Sequence, residues 1–419
     1  DACASLPSGT IVALQLGNSA SWPAALLALL RHDLVALPVG RHMEQRESDL
    51  ALATAQAGAL WTAQGEKLHL EKRGALAPRT WRGSAPDLLK LTSGTTSAPR
   101  IVRFRANQLL ADCDQICSTM GIRGGDLNFG VIPFSHSYGF SNLLTPLIAR
   151  GVPLAASDDR LPRAIIDGLA ATAATVFPGM PVFFQKMIEL PDVPALPSLR
   201  LCISAGAPLP VHVAEKFRLR FGVKIHTFYG ASESGGIAFD RSDEPMPGEG
   251  FVGTPMDGVT IARAGEGADP STIIVRSAAV SDGYEPPDEE ILADGAFRPS
   301  DLIRWEGERL FISGRVSDVI NVAGRKLNPL EVERCLEQCP GVRQAVVFGV
   351  TSRLRGEEAV ACIVADFSNV DAHSVLRFCH ANLSGWQVPK DIWFVENVPV
   401  NERGKISRRM LAEKYQAGR

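Results

Sequence analysis

At 419 residues the chain exceeds the size at which one hydrophobic core keeps growing, so two or more domains are expected. Forty-three Lys and Arg against 46 Asp and Glu leave a net charge of −3, and no long basic run occurs, which argues against a nucleic-acid partner. The longest apolar run, 24–30, is too short to span a bilayer, and the eight cysteines form no CxxC pair, so a cytoplasmic protein with reduced thiols is expected.

In chain order, 11–16 reads as a strand, 22–30 as a helix introduced by Ser21 and Pro23, and 34–37 as the next strand. A further strand at 87–91 runs into a loop rich in hydroxyls. Helices are expected at 107–120, 143–150, 161–171 and 210–221, with strands at 128–132, 201–204 and 225–229 between them. That alternation predicts βαβ layers whose helices cover largely parallel sheets. From 251 to 312 short strands separated by Gly, Pro and Asp turns predict a β-rich subdomain. After Gly314 the chain restarts as a compact α+β unit, with strands at 319–322, 345–349, 359–365 and 392–395 and helices at 329–338 and from Ser407. The expected fold class is α/β: a large N-terminal domain, 1–314, of layered βαβ sheets plus the β-rich subdomain, and a small α+β C-terminal domain, 315–419.

The loop LTSGTTSAPR at 91–100 carries the first chemistry. Thr92, Ser93, Gly94, Thr95 and Thr96 can turn backbone N–H groups and hydroxyls toward one point, which suits a polyphosphate. Arg100 closes it with a planar, permanently charged fork. The Gly-Lys-Ser/Thr of the Walker loop is absent.

Four further motifs follow in order: YGASE at 229–233, Ser300–Asp301, SGRVSD at 313–318 and NERGK at 401–405. With the loop, they resemble the signature series of the adenylate-forming enzymes, which include acyl- and aryl-CoA synthetases, peptide-synthetase adenylation domains and firefly-type luciferases. The resemblance runs from about residue 9 to 411. It implies ATP-dependent activation of a carboxylic acid to an acyl adenylate, then transfer to the thiol of coenzyme A, with ATP, Mg²⁺ and coenzyme A as cofactors. Two alternatives stay open: a ligase that loads an acyl carrier protein, and an adenylate-binding protein without ligase activity. The oligomeric state stays open as well.

The resemblance also implies residue roles. Tyr229 lies against the adenine, flanked by Phe228, Gly230 and Ala231; Ser232 contacts the α-phosphate; Glu233 ligates Mg²⁺, with Thr95 beside it. Ser204, Ala205, Gly206 and Ala207 form the adenine-side loop. Asp301 holds the ribose, and Arg315 the same ribose or the phosphate edge. Lys405 bridges the acyl carboxylate and the phosphates in the first half-reaction. The C-terminal domain is then mobile, rotating about a hinge at 315–318 to bring Gly324 and Lys326 to the acyl adenylate and let a pantetheine arm pass. Arg408 and Arg409 are expected to decorate the surface of the last helix.

For the acid, PFSHSYG at 133–139 matches the segment bounding the acid pocket, with His136 at the mouth of the thiol tunnel. Phe134, Ser135 and His136 stand where amino-acid adenylating domains place an aspartate, so an uncharged tail, aryl or medium to long acyl, is expected. Gly139, 176–180, Gly230 and 235–237 are expected to floor a roomy pocket. The chain departs from the family at Arg100 (usually lysine), Ser97 and Ser300 (usually glycine) and Ser317 (usually Asp or Lys). It also starts several tens of residues late, as expected of a trimmed or reduced first subdomain.

Overall fold

The computed structural model describes the chain apart from residues 1, 2, 65, 66, 74–80, 82, 93–99, 266–268, 353–355, 367–369, 400–405 and 419. It divides into two compact units. The first comprises 1–266, 273–299 and 305–311; the second comprises 267–272, 300–304 and 312–419. The α/β class read from the sequence is the one observed.

The first unit holds two large sheets. One runs Gly283–Glu285, Arg100–Phe104, Leu88–Thr92, Val35–Pro38, Ile11–Gln15, Ala59–Gln64, Lys67–Lys72. Its central strands pair in parallel, because helices Ser21–Arg31 and Gln45–Ala55 return the chain across its faces. Ile11 and Ala13 pack with Leu52 and Ala55 on one face, while Val12 and Leu14 pack with Trp22, Leu26 and Leu29 on the other. Burial on both faces explains why these strands read as continuous apolar runs. Trp22 meets Phe140 edge to face at 6.2 Å, and burying Phe140 contributes about 2–3 kcal/mol.

The second sheet of this unit takes Leu154–Ala156, Asn128–Gly130, Val176–Gly179, Leu201–Ser204 and Ile225–Ala231 in parallel order. It continues antiparallel through Gly235–Phe239 and Phe251–Pro255. A core of Phe177, Phe184, Phe217, Ile165 and Ile166 lies on it. The small strands Thr260–Arg263, Ile273–Arg276, Leu292–Ala293 and Ala296–Phe297 form the expected β-rich part.

The helix expected at 143–150 is broken: a π-helical turn, Phe140–Leu144, leads into helix Thr145–Arg150. Pro146 near the start of that helix has no N–H to offer the Asn142 carbonyl, which instead accepts from Asn128 Nδ2 at 3.5 Å.

In the second unit, Arg325–Leu327, Ile320–Val322, Gly356–Ala365 and Val342–Ser352 form a sheet, with Asp391–Phe394 added in parallel to Gly356–Ala365. Val332, Leu336 and Val375, from helices Pro329–Glu337 and Ala372–Asn382, pack with Ala345 and Val347. Leu411 and Tyr415 of helix Arg408–Ala417 pack on the other face with Val346 and Phe348.

Arg408 does not lie on the surface as the sequence reading has it. Its guanidinium donates to Glu333 at 2.8 Å, to Asp318 at 2.7 Å and to the Val347 carbonyl at 2.9 Å. Arg409 is exposed and pairs with Glu413.

Candidate active site

Ligands of α/β sheets gather beyond the carboxyl ends of parallel strands. Two such ends carry the expected residues. After Leu201–Ser204 the chain turns through Ala205, Gly206 and Ala207, with Gly206 at φ +88° and both Gly206 and Ala207 exposed. The Ser204 hydroxyl is buried and has no hydrogen-bond partner among the described residues.

The neighbouring strand, Ile225–Ala231, holds Phe228 and Tyr229 in buried positions and Gly230 exposed. It turns through Ser232, Glu233 and Ser234 into Gly235–Phe239. Gly235 sits at φ +69°, and a Cβ there would lie 2.1 Å from Asp112 Oδ1, the oxygen that accepts the Gly236 N–H at 2.9 Å. Helix Ala106–Met120 thus clamps the turn through a buried carboxylate.

Ser232 Oγ bonds Ser137 Oγ at 2.9 Å, which ties the turn to the segment holding His136. His136 is half-buried there, and its carbonyl accepts from Phe140 N–H at 2.8 Å. Next to it, the buried Tyr138 hydroxyl donates to the Ile203 carbonyl at 3.0 Å, with the Gly179 carbonyl at 3.3 Å, and burial pushes its pKa well above the ordinary phenol value.

Glu233 keeps part of its surface open, yet its carboxyl end is enclosed enough that burial pushes the pKa up. Opposing this, Tyr284 donates to Oε1 at 2.8 Å, the residue's own main chain adds a hydrogen bond, and Arg100 and Lys90 contribute positive potential. Arg100 stacks on the Tyr284 ring, with its guanidinium carbon 3.6 Å from the centroid, and donates to Asp288 Oδ2 at 2.8 Å.

Lys90 is a second cation nearby among the described residues. It is 5% exposed, lies 4.3 Å from the Phe104 centroid and 5.6 Å from that of Phe140, and has no hydrogen-bond partner among the described residues. A carboxylate and a stacked guanidinium in one region suit a hard metal ion and a polyphosphate, while the enclosed Lys90 ammonium adds positive potential at Glu233. Glu233 fits a metal in kind, since each carboxylate oxygen carries two lone pairs and a bond from Tyr284 occupies one of them.

In the second unit Arg315 Nε donates to Asp301 Oδ1 at 2.8 Å; Asp301 is buried and Arg315 exposed. Gly324 and Ala323, both at positive φ, make the two-residue turn of hairpin 320–327, with Lys326 exposed beside them. Thr92 ends its strand opposite Arg100. Ser93, Gly94, Thr95 and Thr96 lie outside the described residues, as does Lys405.

One reading of the sequence changes. The glycines expected to make pocket room are filled by their neighbours: a Cβ would lie 2.2 Å from the Pro133 carbonyl at Gly139, 2.5 Å from Met256 Sδ at Gly236 and 2.9 Å from Phe184 at Gly179. Sequence reasoning also missed Lys90, Asp112, Tyr284 and Asp288. Lys90 had a signal, a charge inside an apolar strand; Tyr284 and Asp288 had none, since only the fold brings them to Glu233 and Arg100.

Residues 4–284 match the AMP-binding enzyme family, and residues 331–405 match the AMP-binding enzyme C-terminal domain. The chain is 30% identical to the long-chain-fatty-acid–CoA ligase of Bacillus subtilis (strain 168), over 78% of this chain and 61% of that protein. It is 26% identical to a feruloyl-CoA synthase of Amycolatopsis, over 78% of this chain and 70% of the relative. Among solved structures, ATP-bound MatB from Rhodopseudomonas palustris shares the fold with a TM-score of 0.86, at 24% identity, covering 99% of this chain and 90% of that one. The chain belongs to the AMP-binding enzyme family.

Proposed function

We propose that the protein activates a carboxylic acid with ATP and passes the acyl group to the thiol of coenzyme A. A carboxylate oxygen of the acid attacks the α-phosphorus and pyrophosphate leaves; the thiol sulfur then attacks the acyl carbon and AMP leaves with the acid's oxygen. The observation that carries this reading is the placement of Glu233 and Arg100 on one tyrosine, in a chain whose relatives include CoA ligases.

Within this reading the chain supplies positioning and charge, because a carboxylate needs no activation at neutral pH. Tyr229 and the 204–207 turn would bind adenine, Asp301 and Arg315 the ribose, and Ser232, Arg100 and the hydroxyls of Thr92, Ser93, Thr95 and Thr96 the phosphates. Magnesium, held by Glu233 with Thr95, would neutralise phosphate charge. Lys405 would bridge acid and phosphates, a task for a compact, flexible ammonium. Gly324 and Lys326 would serve the thioester step after the 315–419 domain rotates, and His136 would stand at the thiol entrance. The named relatives act on an aliphatic and an aryl acid, so both classes belong in the test.

That test is pyrophosphate release with ATP and Mg²⁺ over benzoic, cinnamic, short-, medium- and long-chain acids, with and without coenzyme A. Release should depend on one acid class and rise with coenzyme A, giving a thioester. Thioester formed only on an acyl carrier protein would replace the acceptor. Lys405→Ala should abolish release yet still convert a supplied acyl adenylate to thioester; equal loss of both steps contradicts its role.

A further inference from the structure

Arg100 and Glu233 carry opposite charges, yet they do not meet in an ion pair. Both touch Tyr284 instead: the guanidinium stacks on the ring face at 3.6 Å, and the carboxylate takes the hydroxyl at 2.8 Å. The ring is 5% exposed and braced on several sides. Strand Gly283–Glu285 pairs with Arg100–Phe104, setting Tyr284 opposite Val102. Ser281 N–H donates to the Glu233 carbonyl at 3.0 Å, and Asp282 accepts from Arg105 at 2.7 Å and Gln108 at 2.8 Å. A direct Arg100–Glu233 pair would satisfy each charge with the other. Asp288 already accepts from one Arg100 nitrogen at 2.8 Å, so the capacity kept for a ligand, with the phenol between the two charges, is that of the remaining guanidinium donors and of the other Glu233 lone pairs.

We propose that Tyr284 is a positioning residue for the nucleotide: a spacer that holds the Arg100 guanidinium on its face for phosphate oxygens and the Glu233 carboxylate at its hydroxyl for the accompanying metal. The ligand assignment rests on the adenylating reading above. The arrangement depends on arginine at position 100, because a planar guanidinium stacks on a phenol where a lysine ammonium is a hydrated point charge.

Calorimetric ATP binding to the full chain, in EDTA and in Mg²⁺, separates the two contacts. Tyr284→Phe keeps the platform and loses the donor. It should bind ATP in EDTA like the wild type, while the affinity gained on adding Mg²⁺ shrinks about tenfold. Arg100→Lys and Tyr284→Leu should each weaken ATP binding in EDTA about fivefold, and the double variant should be no weaker than either. If Tyr284→Leu does not fold, Tyr284→Phe and Arg100→Lys still decide. A full Mg²⁺ gain in Tyr284→Phe, or independent, additive losses at 100 and 284, overturns the positioning role while leaving ATP binding intact. A wild type that binds no ATP in either condition overturns the adenylating reading itself, and the role with it.

Discussion

Lys90 stands third in the strand Leu88–Thr92, on the face that Leu88, Val102 and Phe104 give to the core. Two aromatic faces attract its ammonium without replacing the hydrogen bonds of water, so burial holds its pKa below the ordinary 10.5 against the opposing pull of Asp112 and Glu233. The unfolded chain therefore binds this proton more tightly than the folded one. Between the lowered value and 10.5, wild-type stability should rise with pH. Lys90→Met should abolish that rise and be more stable at pH 7 by about 1–3 kcal/mol. Denaturant unfolding at several pH values reads both, and a less stable variant would mean that the ammonium is held by a partner. Lysine inside an apolar strand was visible in the sequence. What it faces was not, because Phe140 and Glu233 come from distant segments.

At the scale of elements, long amphipathic helices and apolar strands were legible: Ile11–Gln15, Ala106–Met120 and Leu201–Ser204 lie within a residue of their expected bounds. The misses have physical causes. Val176–Gly179, taken only as part of the pocket floor and not expected as a strand, contains Pro178 and Gly179, yet it pairs in parallel with Leu201–Ser204 inside the sheet. The pocket glycines looked like free space because a sequence does not show which neighbour occupies it; Asp112, Met256 and Pro133 do so here. Arg408 looked like one of two surface arginines on a polar helix, and only the fold brings it to Glu333, whose carboxyl pKa is pushed up by burial against the pull of that guanidinium. Arg408→Met should cost about 3 kcal/mol of stability, because the nearly buried Glu333 loses its counter-charge. Arg409→Met, removing an exposed pair, should change little. Equal effects in unfolding experiments would return Arg408 to the surface role first read for it.

At the scale of the molecule, five motifs in order were enough to name the family, and their residues fall in both compact units. The division is not a single cut: 267–272 and 300–304 group with the second unit, consistent with the bridge between Ser271 and Ile303. The central claim is chemical, that the acid's own oxygen attacks the α-phosphorus of ATP. It is tested most directly by turning over an active acid labelled with ¹⁸O in its carboxylate, with ATP, Mg²⁺ and coenzyme A, and weighing the nucleotide released. AMP carrying one ¹⁸O is the predicted result. Unlabelled AMP, or ADP as the nucleotide product, would contradict it.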